Sequence, residues 1–87
     1  MYKRLYGAPP YKTMILHGGP GAIGDVSELC LYISDFQSVL EPLMIEKSLQ
    51  KQIDLLKEEL SSPVNLVGYS WGAIMAILLA NTYPELI

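Results

Sequence analysis

Leu66-Val67-Gly68-Tyr69-Ser70-Trp71-Gly72-Ala73 is the stretch on which the reading of this chain turns. A short apolar run, Val64 to Val67, leads into the pentapeptide Gly-x-Ser-x-Gly at 68–72, and a run of small and apolar residues follows at once. Strand, sharp turn and helix, in that order, is the setting in which a serine stands exposed as a nucleophile. So tight a turn leaves little room for side chains around the serine, and Gly68 and Gly72 meet that demand. Ser70 is then expected at the carboxyl end of a strand with a helix N-terminus behind it. Backbone N–H groups there, such as that of Trp71, can stabilise the oxyanion formed when a carbonyl is attacked. The pentapeptide alone is common in loops. The strand before it and the helix after it give it weight.

The rest of the composition fits one small domain short of cover. Of the 87 residues, 51% are hydrophobic and 17% charged, more apolar than so small a core can easily bury. A missing partner surface is therefore expected, either more of the same chain or another subunit. The net charge is −3, and the six cations, Lys3, Arg4, Lys12, Lys47, Lys51 and Lys57, are scattered. Nucleic acid is thus not expected as a partner. One cysteine, Cys30, cannot form an internal disulfide and suits a reducing compartment, with core packing as its expected role. Met1 to Gly7 lacks the apolar core of a signal peptide, and Val64 to Ala80 is too interrupted by polar residues and glycine to span a bilayer. No membrane partner and a cytoplasmic location follow as expectations.

Upstream of the pentapeptide, Met1 to Lys12 reads as an incomplete lead-in, the end of an outer strand and a turn through Ala8-Pro9-Pro10. Thr13 to Leu16 is a short buried strand, stopped by His17-Gly18-Gly19-Pro20-Gly21. Asp25 suits an N-cap, with Glu28 completing a capping box, and Val26, Leu29, Cys30 and Ile33 give that helix an apolar face. Gln37 to Leu43 reads as a second strand. Ser48 caps the next helix, where Leu49, Ile53, Leu56 and Leu60 form a stripe, until Ser61-Ser62-Pro63 breaks it. Val64 to Tyr69 is the third strand. A helix from about Gly72 to Tyr83 follows, apolar nearly all round, and Glu85-Leu86-Ile87 looks like the approach to another strand. Alternation of strand and helix implies an α/β layered sheet with three parallel strands and flanking helices.

The glycine-rich loop, residues 17–22, sits at the carboxyl end of a strand, which makes it a second site candidate. One reading makes it the other half of an oxyanion hole. The rival is dinucleotide binding, because Gly19 to Gly24 satisfies Gly-x-Gly-x-x-Gly and Glu41 lies at a suitable distance for a ribose hydroxyl. Against it, Pro20 removes an N–H where a pyrophosphate needs donors, the helix is expected to start only at Asp25, and the serine pentapeptide is left without a purpose.

Taken together, His17-Gly18-Gly19-Pro20-Gly21 and Gly68-Tyr69-Ser70-Trp71-Gly72 resemble the α/β-hydrolase family, and within it the proline-iminopeptidase-like branch. The spacing of the two motifs and the tail Ala80-Asn81-Thr82-Tyr83-Pro84-Glu85-Leu86 are also similar. The resemblance covers nearly all of residues 1–87 but only the N-terminal part of such a domain. It implies Ser70 as the nucleophile, the backbone N–H groups of Gly19 and Trp71 as the oxyanion donors, and His17, Gly18, Pro20, Gly21, Gly68 and Gly72 as shapers of the loop and elbow. It also implies a peptide, amide or ester substrate, an acyl-enzyme intermediate, no metal and no organic cofactor. The sheet would be incomplete, with the first of the three strands in its centre and the third left with an open edge.

A serine needs a base, and the base an orienting acid, in the order Ser, Asp or Glu, His along this kind of chain. After Ser70 only Glu85 is acidic and no histidine follows. Glu85 reads as a surface residue, His17 as part of the loop, and Asp25, Asp35 and Glu41 as caps or surface. The triad is incomplete, so the chain is expected to be inactive alone and poorly stable without a partner, whether the remainder of a hydrolase domain or a second chain. The alternative is a non-catalytic truncated or split-gene product.

Overall fold

The computed structural model describes residues 1–19 and 21–87. Its centre is Thr13-Met14-Ile15-Leu16, four residues buried on both faces, as a strand must be when helices cover the sheet from either side. This strand, β2 (Thr13–Leu16), is preceded by β1 (Lys3–Tyr6) and followed by α1 (Ser27–Ile33), β3 (Val39–Pro42), α2 (Leu49–Glu58), β4 (Asn65–Gly68), α3 (Trp71–Thr82) and a 3-10 turn at Pro84–Leu86. The sheet order is β1-β3-β2-β4. β2 pairs in parallel with β3, Thr13 opposite Val39, and with β4, Thr13 opposite Asn65 through Leu16 opposite Gly68. β1 runs antiparallel to β3, with Lys3 opposite Pro42 and Tyr6 opposite Val39. The chain is thus a small α/β unit built on a mixed four-stranded sheet.

Alternation along the strands sorts the core into two halves. Met14, Leu16 and Leu40 point to one face, where Ile53 and Leu56 of α2 and Met75 and Leu79 of α3 close over them. Ile15 and Val39 point to the other, against Val26 and Cys30 beside and on α1. Each such side chain, taken fully out of water, contributes about 1.5–3 kcal/mol, which the ordering of the backbone largely offsets. α2 starts where Ser48 caps it, its Oγ accepting the Lys51 N–H at 3.3 Å.

Several expectations need correction. The lead-in holds the outer strand expected there, but as a complete fourth strand and not an incomplete end, because Lys3 to Tyr6 finds a full ladder on β3. The strand expected over 37–43 is confined to Val39–Pro42. Asp25 does not cap α1: Val26 occupies the cap position without a side-chain bond, and the Asp25 carboxylate turns back to the Gly18 N–H, at 3.1 Å from each oxygen. The tail at Pro84–Leu86 winds into a 3-10 turn whose Leu86 carbonyl accepts the Val64 N–H at 3.0 Å, so it braces the start of β4 instead of entering the sheet. Leu29, placed on the apolar face of α1, is 40% exposed.

Glu41 is neither cap nor surface. It is fully buried on the α1 side of β3, where its carboxylate accepts from the Tyr6 hydroxyl at 2.6 Å and the Ser27 hydroxyl at 2.8 Å, with Arg4 Nη1 at 3.4 Å. A buried charge is tolerable only when paired and hydrogen-bonded in this way. Burial, reinforced by Glu41, pushes the Tyr6 hydroxyl up to about 12, and burial next to the Glu41 charge pushes the Cys30 thiol up to about 12.

The outer side of β4 is open, and Val67 on it is 39% exposed. On α3, Ile74 is 50% and Ile77 69% exposed. Among the described residues no helix is long and apolar enough to cross a membrane.

Candidate active site

The chain leaves β4 at Gly68 and enters α3 at Trp71, with Tyr69 and Ser70 between them. The turn is anchored to the central strand by the Tyr69 N–H, which donates to the Leu16 carbonyl at 3.1 Å. Close approach explains both glycines. A methyl group at Gly72 would run into the Leu16 and His17 carbonyl oxygens, and one at Gly68 would lie 2.6 Å from Ala73 Cα and strike the Gly72 carbonyl. Ser70 has φ 55° and ψ −117°, and among the described residues it alone combines a positive φ with a side chain. An L-residue held there is strained by about 1–3 kcal/mol, which the packing of β4 and α3 must over-determine. The result is an exposed serine standing at the sheet's carboxyl end.

The glycine loop lies against this serine. A methyl group at Gly18 would sit 3.3 Å from Ser70 Cβ, 3.2 Å from the Tyr69 ring and 2.7 Å from an Asp25 carboxylate oxygen. Gly19 follows with φ 127°, and a methyl group there would strike the Gly21 and Ala22 backbone nitrogens of its own loop. Gly21, at φ 81°, is exposed. Pro20, assigned a shaping role from sequence, lies outside the described residues. Among those residues neither the Gly19 nor the Trp71 backbone N–H has an acceptor in the chain. For Trp71 this is the ordinary state of a first helical residue, whose N–H has no partner within its own helix.

His17 is wholly buried, and both ring nitrogens are in use. Nε2 lies 2.8 Å from the Met44 N–H, which can only donate, so the ring proton sits on Nδ1 and is given to the Gly18 carbonyl at 2.6 Å. A ring so engaged has no free nitrogen for the Ser70 hydroxyl. It joins the loop after β2 to the segment after β3.

Gln52 was missed in the sequence. It is 2% exposed on α2, donates from Nε2 to the Glu46 carbonyl at 2.6 Å, and accepts at Oε1 from the Trp71 indole N–H at 3.3 Å. The signal was its place on the apolar stripe, three after Leu49 and four before Leu56, where a polar residue needs partners. A cavity of about 250 Å³ between Met1, Leu43, Ile45 and Leu55 does not include Ser70. Among the described residues no group of three or more His, Cys, Asp and Glu side chains is placed to hold a metal ion.

The dinucleotide alternative finds little in this geometry. α1 begins at Ser27, beyond the last glycine of the pattern, so no helix N-terminus directly follows it. No family model, no curated protein and no solved structure matches the chain.

Proposed function

We propose that this chain carries the nucleophile and the oxyanion donors of a serine hydrolase of the α/β-hydrolase kind, with an aminopeptidase-like or esterase-like reaction. The observation behind it is Ser70 held at φ 55° between β4 and α3, with Gly18 of the glycine loop packed against it. In this reading Ser70 Oγ attacks an amide or ester carbonyl carbon. The carbonyl oxygen takes up the charge between the Gly19 and Trp71 N–H groups, and the C–N or C–O bond breaks to leave an acyl group on Ser70. Water then releases the acid. The Gly-Gly-Pro-Gly loop tilts the reading towards peptides or other amides over lipid esters.

The proton on Oγ needs a base, and His17 is already engaged. The base and its orienting acid have to come from residues other than those described, in a further part of the domain or in a second chain. The open side of β4 and the exposed Ile74 and Ile77 support such a covering unit. Without it, the elbow and loop are a site in waiting, and a non-catalytic role for the chain alone is the second reading.

Acyl trapping tests the proposal. With a polypeptide supplying the Asp and His, p-nitrophenyl acetate is expected to give a burst of nitrophenol and an acetyl group on Ser70, located by peptide mass spectrometry and lost in Ser70→Ala. Acetylation elsewhere with Ser70 unmodified would overturn it.

A further inference from the structure

Two of the buried polar side chains reach the same short segment, Met44 to Glu46, between β3 and α2. His17 accepts the Met44 N–H at 2.8 Å, and Gln52 donates to the Glu46 carbonyl at 2.6 Å. Each of these side chains also grips one half of the candidate site. The His17 ring donates to the Gly18 carbonyl, next to Gly19, at 2.6 Å, and the Gln52 amide accepts the Trp71 indole N–H at 3.3 Å. The orientation of the Gln52 amide follows from its partners, since a carbonyl only accepts and an indole N–H only donates.

We propose that Met44–Glu46 is a strut that sets the spacing of the Gly19 and Trp71 amides, and that Gln52 is a positioning residue acting through it. The role of the two amides rests on the hydrolase reading; the strut itself does not. Gly19 sits on a loop and Trp71 on a helix N-terminus, and no hydrogen bond in the described structure joins these two residues directly. Two donors aimed at one oxygen have to be held to within a fraction of an ångström, and loops do this only when buried side chains lock them. Here the lock runs Gly18, His17, Met44, Glu46, Gln52, Trp71. Every polar side-chain atom in it is satisfied, which is the condition under which a buried network rigidifies instead of destabilising.

The chain's single tryptophan and single histidine make the test direct by nitrogen-15 NMR of the full chain. In the unaltered protein the His17 ring is expected as the Nδ1–H tautomer; an Nε2–H tautomer would break the lock at its first link and overturn the proposal. In Gln52→Met the Trp71 indole N–H should exchange with solvent roughly fivefold faster or more, the loss of one ordinary hydrogen bond. The backbone amide resonances of both Trp71 and Gly19 should move with it. In Gln52→Glu the carboxylate still accepts from the indole but cannot donate to Glu46, so indole protection should persist while the Met44, Gly18 and Gly19 amides shift. A folded Gln52→Met whose Trp71 and Gly19 amides stay in place would show that Gln52 holds only an indole ring. If that variant does not fold, unmoved Gly18 and Gly19 amides in Gln52→Glu give the same refutation. None of these signals involves the chemistry of Ser70, so a serine that never acylates would sink the hydrolase reading and leave the strut standing.

Discussion

Replacing Ser70 by glycine should make the protein more stable. At φ 55° and ψ −117° a serine carries about 1–3 kcal/mol of backbone strain, which glycine does not feel. Glycine also adds freedom to the unfolded chain, worth about 0.4–1 kcal/mol against folding. The difference leaves a gain of about 1 kcal/mol, or a rise in melting temperature of about 4–8 °C for a domain of this size. Ser70→Ala is the control. It removes the hydroxyl but keeps the strain, so it should stay within about 0.5 kcal/mol of the unaltered chain. The assay is urea unfolding followed by Trp71 fluorescence and by circular dichroism, with unchanged slopes as the sign that only stability has moved. If Ser70→Gly is no more stable than Ser70→Ala, the backbone at 70 is not strained. The elbow would then be an ordinary turn, and the reasoning that makes Ser70 a site would fail.

Other outcomes follow from the same structure. Gly72→Ala should destabilise by about 1–3 kcal/mol or prevent folding, because its methyl group meets the Leu16 and His17 carbonyls, and the same urea titration measures it. Stability should fall in alkali. The Cys30 thiol and Tyr6 hydroxyl are held at about 12 in the fold against ordinary values of 9.0 and 10.0, so the folded state keeps protons that the unfolded state sheds. Their contribution is complete below about pH 9 and is lost progressively towards pH 12; Tyr6→Phe and Cys30→Ala should each flatten that decline in urea midpoints. Ile77→Lys, at a side chain 69% exposed, should change stability by no more than about 0.5 kcal/mol and reduce aggregation of the isolated chain in light scattering.

Much of the fold was legible because the signals were local. Thr13 to Leu16 is a short, mostly apolar run closed by glycines, Ser48 is a good cap, and the pentapeptide at 68–72 lies between a strand and a helix, as the structure has them. The central place of β2 followed from the resemblance rather than from any pattern in the residues. What escaped depends on partners distant in sequence. Asp25 looked like a cap because caps are read from nearest neighbours, yet its carboxylate serves Gly18, seven residues earlier, and so helps to close the loop. Glu41 looked like surface because a charge on a strand is usually solvated; the Tyr6 and Ser27 hydroxyls that satisfy it come from other elements. Arg4 and Lys3 likewise blurred the extent of β1, of which only the end of an outer strand was legible, since charged residues suit an edge strand but obscure its pattern. Gln52 left only the mark of a polar residue on an apolar stripe, and the strut left none, because two of its links are backbone groups of Met44 and Glu46, and a backbone carries no signature in sequence.

The most direct test of the central claim is to treat native lysate from cells that make this protein with a fluorophosphonate and map the modified residue by tandem mass spectrometry. A phosphonyl group is expected on Ser70, on a tryptic peptide that begins at Glu58, and none after substitution by alanine. A Ser70 peptide recovered only unmodified, while other serine hydrolases in the same lysate are labelled, would contradict it.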